Sequence, residues 1–445
     1  MFNGESKIGH PYWWEQARPT VTSDELPARC DVLVIGAGYT GLSAAIAAQE
    51  CGARVVVVEA GVPGEGASSR NGGMFGAHPR LSWDKLAALF GPDTADALFA
   101  EAGPALSWAR RFIATEGIDC DFQTTGRIQL AWSGSHHAAQ RRLATTIQTK
   151  SDVDVALLDR AGISADIVTD RYAGALVFPD HGALHPAKYH RGMMRAVKRR
   201  GVPVVSHARV EALTRAGTRF EVDTAKGRIL ADKVVLATNG YTTRPFGWHV
   251  KRVFPLPSYM IATQSLPPDM LAALAPGRRM MVETRARHSY FRLSPDGTRL
   301  LFGGRASMRD LPLAQAAARL RSTMAEIWPS LKDVTLSHAW TGNTGYSFAH
   351  MPHVGVQDGL CFAMGFSGSG TVMAPYLGAK AGYLAVGDVR ADTAYARTHL
   401  PRHVLHLFDR PHFLTAADLW YRYWVDRAEN RQARRDRARA TQKQH

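Results

Sequence analysis

The sequence has few features of an exported or membrane-spanning protein. Its four cysteines, Cys30, Cys51, Cys120 and Cys361, form no C-x-x-C pair and are too few for a disulfide framework. The first thirty residues contain no apolar signal-peptide core, and no uninterrupted apolar run approaches the length that spans a bilayer. Internal repeats and low-complexity stretches are also missing, apart from a basic tail. These absences predict a cytoplasmic protein.

The composition otherwise fits a globular protein, with one unusual property. The chain of 445 residues is long enough for one large or two ordinary domains. Its composition, 45% hydrophobic and 21% charged, is ordinary for a globular protein. The net charge is +15. From Arg422 to His445 there are eight basic and three acidic residues, a net charge of +5. This excess indicates either an anionic partner or a solvated basic helix.

A glycine-rich turn near the N-terminus predicts a dinucleotide site. An apolar strand, 31–35, precedes Gly36, Gly38 and Gly41, which are spaced as G-x-G-x-x-G and followed by a small-residue helix. A second apolar strand, 54–58, then ends at Glu59. In such an element the glycines allow a tight turn, a close approach to a pyrophosphate and close helix packing, while the acid accepts hydrogen bonds from a ribose. The sequence therefore predicts an adenine dinucleotide at this turn.

Several later segments are rich in glycine and small polar residues. The stretch 64–74 reads GEGASSRNGGM, and its backbone amides are available to wrap a cofactor. The segment 182–191, GALHPAKYHR, begins a helix with a proline, and 234–240, VVLATNG, is a buried strand with a small-residue turn. The segment 365–371, GFSGSGT, lies between an apolar strand and a helix.

Together these motifs resemble the D-amino-acid-oxidase-like superfamily of FAD-dependent amine oxidoreductases, with the greatest likeness to the γ-glutamylputrescine oxidase type. The resemblance runs from about residue 10 to about residue 390 and thins across the substrate-facing segments. It implies that the helix after 365–371 points its N-terminus at the flavin pyrimidine. It also implies that Val210 lies at the adenine edge.

FAD is predicted rather than NAD because the chain contains one complete fingerprint and two further glycine loops, which NAD would not need. We expect the FAD to be noncovalent, since 68–73 and 337–342 do not present the nucleophile that tethers flavin in some relatives. The predicted cofactor-binding residues are Gly36, Gly38, Tyr39, Thr40, Gly41, Glu59, Ala60, Ala67, Ser68, Ser69, Arg70, Asn71, Gly72, Gly73, Met74, Val210, Ala237, Thr238, Asn239, Gly240, Gly365, Ser367, Gly368, Ser369, Gly370 and Thr371.

The predicted fold class is α/β. We expect a three-layer, Rossmann-like FAD-binding domain formed by 1–80, 151–245 and 335–390, including one strand over 203–213. A substrate domain with a mixed or antiparallel sheet, 81–150 and 246–334, is inserted between these pieces and contains a hairpin at 289–303. Residues 391–445 are predicted to form a C-terminal helical extension with a basic tail.

The resemblance implies oxidation of a C–N bond in a small amine or amino-acid-like substrate to an imine, which is then hydrolysed, with O2 as electron acceptor and H2O2 as product. The residues predicted to line the substrate site are Tyr259, Tyr290, Arg292, Trp340 and Tyr346. Arg292 is interpreted as a bidentate clamp on a substrate carboxylate, or else as an exposed strand arginine. Core packing is the alternative interpretation of Tyr259, Tyr290 and Trp340.

Other functions are less well supported by the residues. No metal is predicted, because the histidines at 350 and 353 and those at 399, 403 and 406 have no carboxylate or cysteine to complete a site. One alternative is an amine dehydrogenase that passes electrons to a quinone, with the basic C-terminal helix on a membrane surface. Another is a tRNA-modifying FAD module, although no RNA-binding motif is present and no nucleic-acid partner is expected. The oligomeric state stays open.

Overall fold

The computed structural model describes residues 1–404, 406 and 411–442, the last four by their backbone alone. Residues 405, 407–410 and 443–445 of the predicted C-terminal extension lie outside the described residues. The strands, in chain order, are β1 (Lys7–Ile8), β2 (Arg29–Ile35), β3 (Val55–Val58), β4 (Met74–Phe75), β5 (Arg127–Ala131), β6 (Ala156–Asp159), β7 (Gly174–Phe178), β8 (Gly182–Ala183), β9 (Val204–Val205), β10 (Val210–Ala216), β11 (Arg219–Thr224), β12 (Gly227–Leu236), β13 (Val253–Thr263), β14 (Met280–Glu283), β15 (Ser289–Leu293), β16 (Leu300–Gly304), β17 (Leu336–Ser347), β18 (His353–Gln357) and β19 (Leu360–Met364).

The α-helices are α1 (Tyr39–Glu50), α2 (Trp83–Phe90), α3 (Pro92–Ala100), α4 (Ala102–Thr115), α5 (Gly134–Lys150), α6 (Pro186–Arg199), α7 (Gly247–Val250), α8 (Pro268–Leu274), α9 (Leu313–Ile327), α10 (Gly370–Val386), α11 (Phe413–Trp420) and α12 (Asp426–Gln442). A π-helical turn, Tyr421–Val425, joins the last two helices. Of the part of the chain that the structure describes, no helix is long and apolar enough to cross a bilayer.

The first sheet is the centre of a three-layer unit. Its parallel strands run in the order β9, β3, β2, β12 and β19. On one face, Val32 and Val34 of β2 belong to an apolar core that also contains buried residues of α1, α6 and α10. Leu33 and Ile35 face the opposite way, towards the antiparallel strands β10, β11 and the first half of β12. Since successive strand residues point to opposite faces, the unbroken apolar run of β2 is buried on both sides, as a Rossmann-like sheet requires.

The second sheet is mixed and has the order β1, β17, β13, β16, β15, β14, β5, β7, β6. The pairs β1–β17 and β14–β5 are parallel, and the others are antiparallel. The predicted hairpin is present as β15 and β16, whose turn contains Gly297 at φ +70°. Helices α8 and α9 cover one face of this sheet, and the other face lies towards the first unit. The observed architecture confirms the predicted fold class.

The division between the two units differs from the predicted one. Strands β6 and β7 fall within 151–245 and β17 falls within 335–390, yet all three pair in the second sheet. They belong to the second unit because β7 pairs with β5, β6 pairs with β7, and β17 pairs with β13. The strand predicted over 203–213 is also two strands, β9 and β10, separated by a turn at His207 with φ +55°.

Helices α1 and α10 pack with almost no space between their backbones. A Cβ atom at Gly378 would lie 2.3 Å from the carbonyl oxygen of Thr40, and one at Gly382 would lie 2.3 Å from that of Ala44. The contacts advance by four residues along each helix in the same direction, so the two helices run parallel. Both begin at the same edge of the first sheet. Such an approach is open only to glycine.

The substitution Gly382→Ala tests this packing. Alanine gains about 1 kcal/mol of helix propensity over glycine. The methyl group would nevertheless collide with the Ala44 carbonyl, and overpacking of this kind costs about 1–3 kcal/mol. We expect a lower thermal unfolding midpoint than that of the wild type.

The matched control is Gly103→Ala, in α4. There the nearest atom to a new Cβ would be the Cβ of Asp152 at 3.8 Å, an ordinary contact. This variant should unfold at or above the wild-type temperature. Equal midpoints for the two variants would contradict the close-packing account.

Candidate cofactor and substrate site

The first glycine turn joins β2 to α1 and is held by backbone contacts. Gly36 has φ +108°, and a Cβ at Gly41 would lie 1.8 Å from the Gly36 carbonyl oxygen. A Cβ at Gly38 would lie 2.9 Å from the Ser68 hydroxyl, which accepts a hydrogen bond from the Tyr39 N–H at 3.0 Å. The turn thus leaves backbone N–H groups at the start of α1 facing open space, as an anion site at a helix N-terminus does.

Glu59 stands beside this turn at the end of β3. Its carboxylate accepts hydrogen bonds from the backbone N–H of Ala37 at 2.8 Å and of Gly61 at 3.1 Å. Each carboxylate oxygen can accept more than one hydrogen bond, so the group keeps capacity for a ribose hydroxyl. The arrangement fixes the acid at the position that the fingerprint predicts.

The second glycine loop, 64–74, is fixed by its own side chains and by the N-terminal arm. The Asn71 amide donates to the carbonyls of Ala67 and Ser68 and accepts from the N–H of Gly73. Trp14 donates to the Ser69 hydroxyl at 2.8 Å, and its ring lies 4.8 Å from the Arg70 guanidinium. The aromatic arm therefore anchors this loop, whose backbone is also held by the Asn71 side chain.

A third segment, the end of β12 together with the turn before α10, lies beside the two glycine loops. We call the three segments together the dinucleotide cradle. Asn239, at φ +45°, accepts a hydrogen bond from the Gly365 N–H at 2.9 Å. Gly365, Ser367 and Gly368 all have positive φ values, which reverses the chain sharply before α10 begins. Two helix N-termini, those of α1 and α10, therefore approach one space from the same sheet.

These segments enclose one continuous cavity of about 1150 Å³, which extends from the first glycine turn to the second sheet. A volume of this order exceeds that of an ordinary small-molecule site and suits an elongated cofactor together with a substrate. The predicted cofactor residues that line it are Gly36, Gly38, Tyr39, Thr40, Glu59, Ala60, Ala67, Ser68, Arg70, Asn71, Gly72, Met74, Val210, Ala237, Thr238, Asn239, Gly240, Gly368, Ser369, Gly370 and Thr371.

Five predicted cofactor residues lie just behind the cavity wall. Gly41 packs on the first turn, and Ser69 receives the Trp14 hydrogen bond. Gly73 donates to Asn71, while Gly365 and Ser367 shape the turn before α10. These residues hold the lining in place and do not themselves face the space.

Two of the predicted substrate residues, Tyr290 and Tyr346, lie at the end of the cavity formed by the second sheet. The Tyr290 hydroxyl is 2.9 Å from the Ser258 hydroxyl, and burial raises the pKa of Tyr290 to about 12. The Tyr346 hydroxyl accepts hydrogen bonds from Arg80, at 3.1 Å, and from Arg305. Burial alone would raise the pKa of Tyr346, but the guanidiniums of Arg305 and Arg80 outweigh it and hold that pKa below its ordinary value.

Three of the predicted substrate residues lie in the core instead. Tyr259 points to the opposite face of β13, where its hydroxyl donates to the Arg309 carbonyl and accepts from the Leu311 N–H. Trp340 donates to the Arg70 carbonyl at 2.8 Å. Arg292 is 5% exposed and donates to the carbonyls of Leu184 and Leu293, so it holds backbone and not a ligand.

Sequence reasoning missed four cationic or ionisable groups that line the same end of the cavity, namely Arg80, Arg127, His288 and Arg305. None of the hydrogen-bond partners that the structure describes for the three guanidiniums is a carboxylate: they are Tyr346 and the Ser367 carbonyl for Arg80, His78 for Arg127, and Tyr346 for Arg305. Burial, and secondarily Arg80, lowers the pKa of Arg127 to about 9. Burial also holds the pKa of His288 well below its ordinary value, so this imidazole is neutral at pH 7.

Two carboxylates line the cavity near these cations. Glu283 is already bound to Arg285, at 2.6 Å, and to the Tyr172 hydroxyl, at 2.7 Å. Asp310 is exposed at the rim. The inner end of the cavity therefore carries an excess of positive charge, which favours an anionic ligand group.

Comparison with known proteins agrees with this geometry. The family model described as "DAO: FAD dependent oxidoreductase" matches residues 31–384. The chain is similar to a probable oxidoreductase, OrdL, of Rhizobium meliloti, with 30% identity over 86% of this chain and 90% of the relative. It is equally similar to the gamma-glutamylputrescine oxidoreductase of Escherichia coli, with 30% identity over 84% of this chain and 87% of the relative.

Among solved structures, the glycine oxidase of Geobacillus kaustophilus superposes with a TM-score of 0.68 at 22% identity, covering 85% of this chain and all of that one. At this identity the likeness concerns the fold. The glycine turns, Glu59 and the two converging helix N-termini are the groups that would hold the FAD of this family. A Cβ at Gly36 would lie 3.0 Å from the Ala237 carbonyl oxygen and one at Gly38 would lie 2.9 Å from the Ser68 hydroxyl, so the turn admits glycine alone without displacing its neighbours. The chain belongs to the DAO family of FAD-dependent oxidoreductases.

Proposed function

We propose that this protein oxidises the C–N bond of a small amine that carries an anionic group, such as a carboxylate, and passes the electrons to O2. The single observation that carries the proposal is the continuity of the cavity. One space joins the dinucleotide cradle to the cationic end formed by Arg80, Arg305 and Tyr346. The amine substrate of the Escherichia coli relative is consistent with this reaction class.

The roles of the residues follow from their positions. The first glycine turn and Glu59 would hold the adenine and ribose end of FAD, and the 64–74 loop and the start of α10 would hold its other end. When bound, FAD supplies the two-electron oxidant. None of the cavity-lining residues that the structure describes is a cysteine, and the 64–74 loop contains no histidine, which together support noncovalent binding.

At the inner end, Arg80 and Arg305 would bind the anionic group of the substrate through charge-assisted hydrogen bonds. The Tyr346 oxygen already accepts hydrogen bonds from both, so its deprotonated form is favoured at lower pH than in an ordinary tyrosine. This oxygen would take the proton of the substrate ammonium and leave a neutral amine. Loss of two electrons and two protons then gives the imine, and O2 with the same electrons and protons gives H2O2.

The activity is tested with the purified holoenzyme under anaerobic conditions. Amino acids, N-methyl amino acids and γ-glutamylated amines are added one at a time. Each is compared with its amide or ester, in which the carboxylate is blocked. We expect bleaching of the flavin absorbance by a carboxylate-bearing amine, and recolouring by air with H2O2 formed. Bleaching that air does not reverse would indicate a dehydrogenase, and bleaching only by amines without an anionic group would overturn the substrate class.

The substitution Arg305→Leu tests the recognition of the anionic group. A hydrogen bond to a charged group contributes about 1.5–3 kcal/mol, so kcat/KM for the preferred anionic amine should fall by about 10- to 150-fold. The fall for the corresponding amide should be much smaller. Arg309→Leu is the matched control, because that guanidinium is exposed four residues along the same segment. Equal losses for the anionic amine and its amide would contradict the assignment.

The substitution Tyr346→Phe tests proton acceptance. Because the Tyr346 pKa lies below its ordinary value, the wild-type kcat/KM should rise with pH and reach its plateau at a lower pH than in the variant. Without this acceptor, the variant should level off only at higher pH, where the free substrate loses its own proton. Tyr290→Phe, which removes a cavity hydroxyl whose pKa is about 12, should keep the wild-type midpoint. A pH profile of kcat/KM that is the same in Tyr346→Phe would rule out this role.

A further inference from the structure

The C-terminal extension turns its carboxylates towards the protein. Asp418 is 3% exposed; it accepts a hydrogen bond from the Met308 N–H at 2.9 Å and pairs with Arg422 at 2.8 Å. Asp426 pairs with Arg287, and Glu429 accepts a hydrogen bond from the Ala286 N–H at 3.1 Å. Asp436 accepts a hydrogen bond from the Gly134 N–H at 2.8 Å. The acidic groups of α11 and α12 are therefore used to dock the extension.

The apolar side chains on the inner face complete this docking. Phe413, Leu414, Ala417 and Tyr421 pack against a cluster that contains Phe254 and the cavity residue Tyr346. The ring centroids of Phe254 and Phe413 are 5.2 Å apart. The extension is therefore a fixed part of the molecule, and its outer face has a defined direction.

The outer face carries a row of exposed apolar and cationic side chains, which we call the aromatic–arginine stripe, and the carboxylates of α11 and α12 are buried or half-buried. Its apolar half consists of Leu419 and the aromatic residues Trp420, Tyr423 and Trp424, which are 50%, 55%, 45% and 60% exposed. Trp420 and Trp424 stack with their centroids 5.4 Å apart. Its basic half contains the exposed Arg427, Arg431, Arg434 and Arg435. The spacing of three and four residues puts all of them on one side of the helix.

Exposed aromatic and arginine side chains on one helix face are typical of an interaction surface. Large apolar side chains exposed together in one patch mark an interaction site. Tryptophan and tyrosine are enriched at the boundary between lipid and water, where an apolar ring and a polar edge are both accommodated. Arginines on the same helix face are attracted to anionic lipid headgroups, and the carboxylates that would repel those headgroups are turned inward.

We infer that the aromatic–arginine stripe docks the protein on an anionic phospholipid surface, with Trp420 and Trp424 inserted at the interface. Binding at this surface would place lipid near one wall of the cavity, because the inner face of the extension packs on the apolar cluster that contains Tyr346. The inference goes beyond the proposed reaction and does not depend on the identity of the substrate.

The test is co-sedimentation of the holoenzyme with two kinds of vesicle. One contains phosphatidylcholine alone, and the other an equimolar mixture of phosphatidylcholine and phosphatidylglycerol. We expect binding to the mixed vesicles, little binding to the neutral ones, and weaker binding as the salt concentration rises. Failure of the wild type to sediment with the mixed vesicles would overturn the inference, whatever any variant does.

Two sets of substitutions locate the contact. Trp420→Ser with Trp424→Ser, and Arg431→Glu with Arg434→Glu and Arg435→Glu, should each lower the partition coefficient by about tenfold or more. The charge-matched control is Arg141→Glu with Arg142→Glu and Arg195→Glu, three exposed arginines elsewhere on the surface. An equal loss in this control would mean that net charge binds the lipid, and would overturn the assignment to the stripe.

A second measurement uses the wild type alone. Brominated phosphatidylcholine in the mixed vesicles should quench tryptophan emission, because Trp420 and Trp424 are exposed whereas Trp13, Trp328 and Trp340 are buried. Binding without quenching would contradict insertion. A dimer in sedimentation equilibrium that the tryptophan variant dissociates, without vesicle binding, would show that a second copy occupies the stripe.

Discussion

The contact on which the rest of this structure depends is the seating of α1 directly on the backbone of the first glycine turn. At Gly41 no side chain separates the helix from the Gly36 carbonyl, and at Gly378 and Gly382 none separates α10 from α1. Both helices can therefore begin at one edge of the parallel sheet and direct their unpaired N–H groups into one cavity. A methyl group at any of these positions would separate the layers and change the shape of the cradle.

The two halves of the cavity present different polar and charged groups. Its first half offers backbone N–H groups and one anchored carboxylate, which suit a dinucleotide. Its second half offers guanidiniums around a buried phenol, which suit an anionic substrate and a proton transfer. The C-terminal extension packs beside the second half, since its apolar residues lie on the cluster that contains Tyr346 and Asp418 ties the segment that follows Arg305 to α11. This end of the cavity thus borders a helix that lies beyond the residues matched by the family model.

Local sequence patterns located the glycine turns that surround the cavity, but they did not show which strand residues reach its inner end. The glycine turn, Glu59 and the hairpin are local patterns, in which spacing alone determines the geometry. Whether a strand residue faces the cavity depends on register and on what covers it. Tyr290 and Arg292 share one face of β15, but the backbone of Gly73 and Leu184 and the ring of Trp13 cover Arg292. That coverage comes from segments distant in sequence, and no local pattern reveals it.

The central claim is that this cavity holds FAD without a covalent bond, and the absorbance spectrum of the purified protein tests it most directly. The account predicts a flavin spectrum at close to one equivalent per chain, with all of the flavin released as FAD into the supernatant after acid precipitation. Flavin that stays with the precipitated protein would contradict the noncovalent assignment. A colourless protein that cannot be reconstituted with FAD would contradict the assignment of the cavity itself.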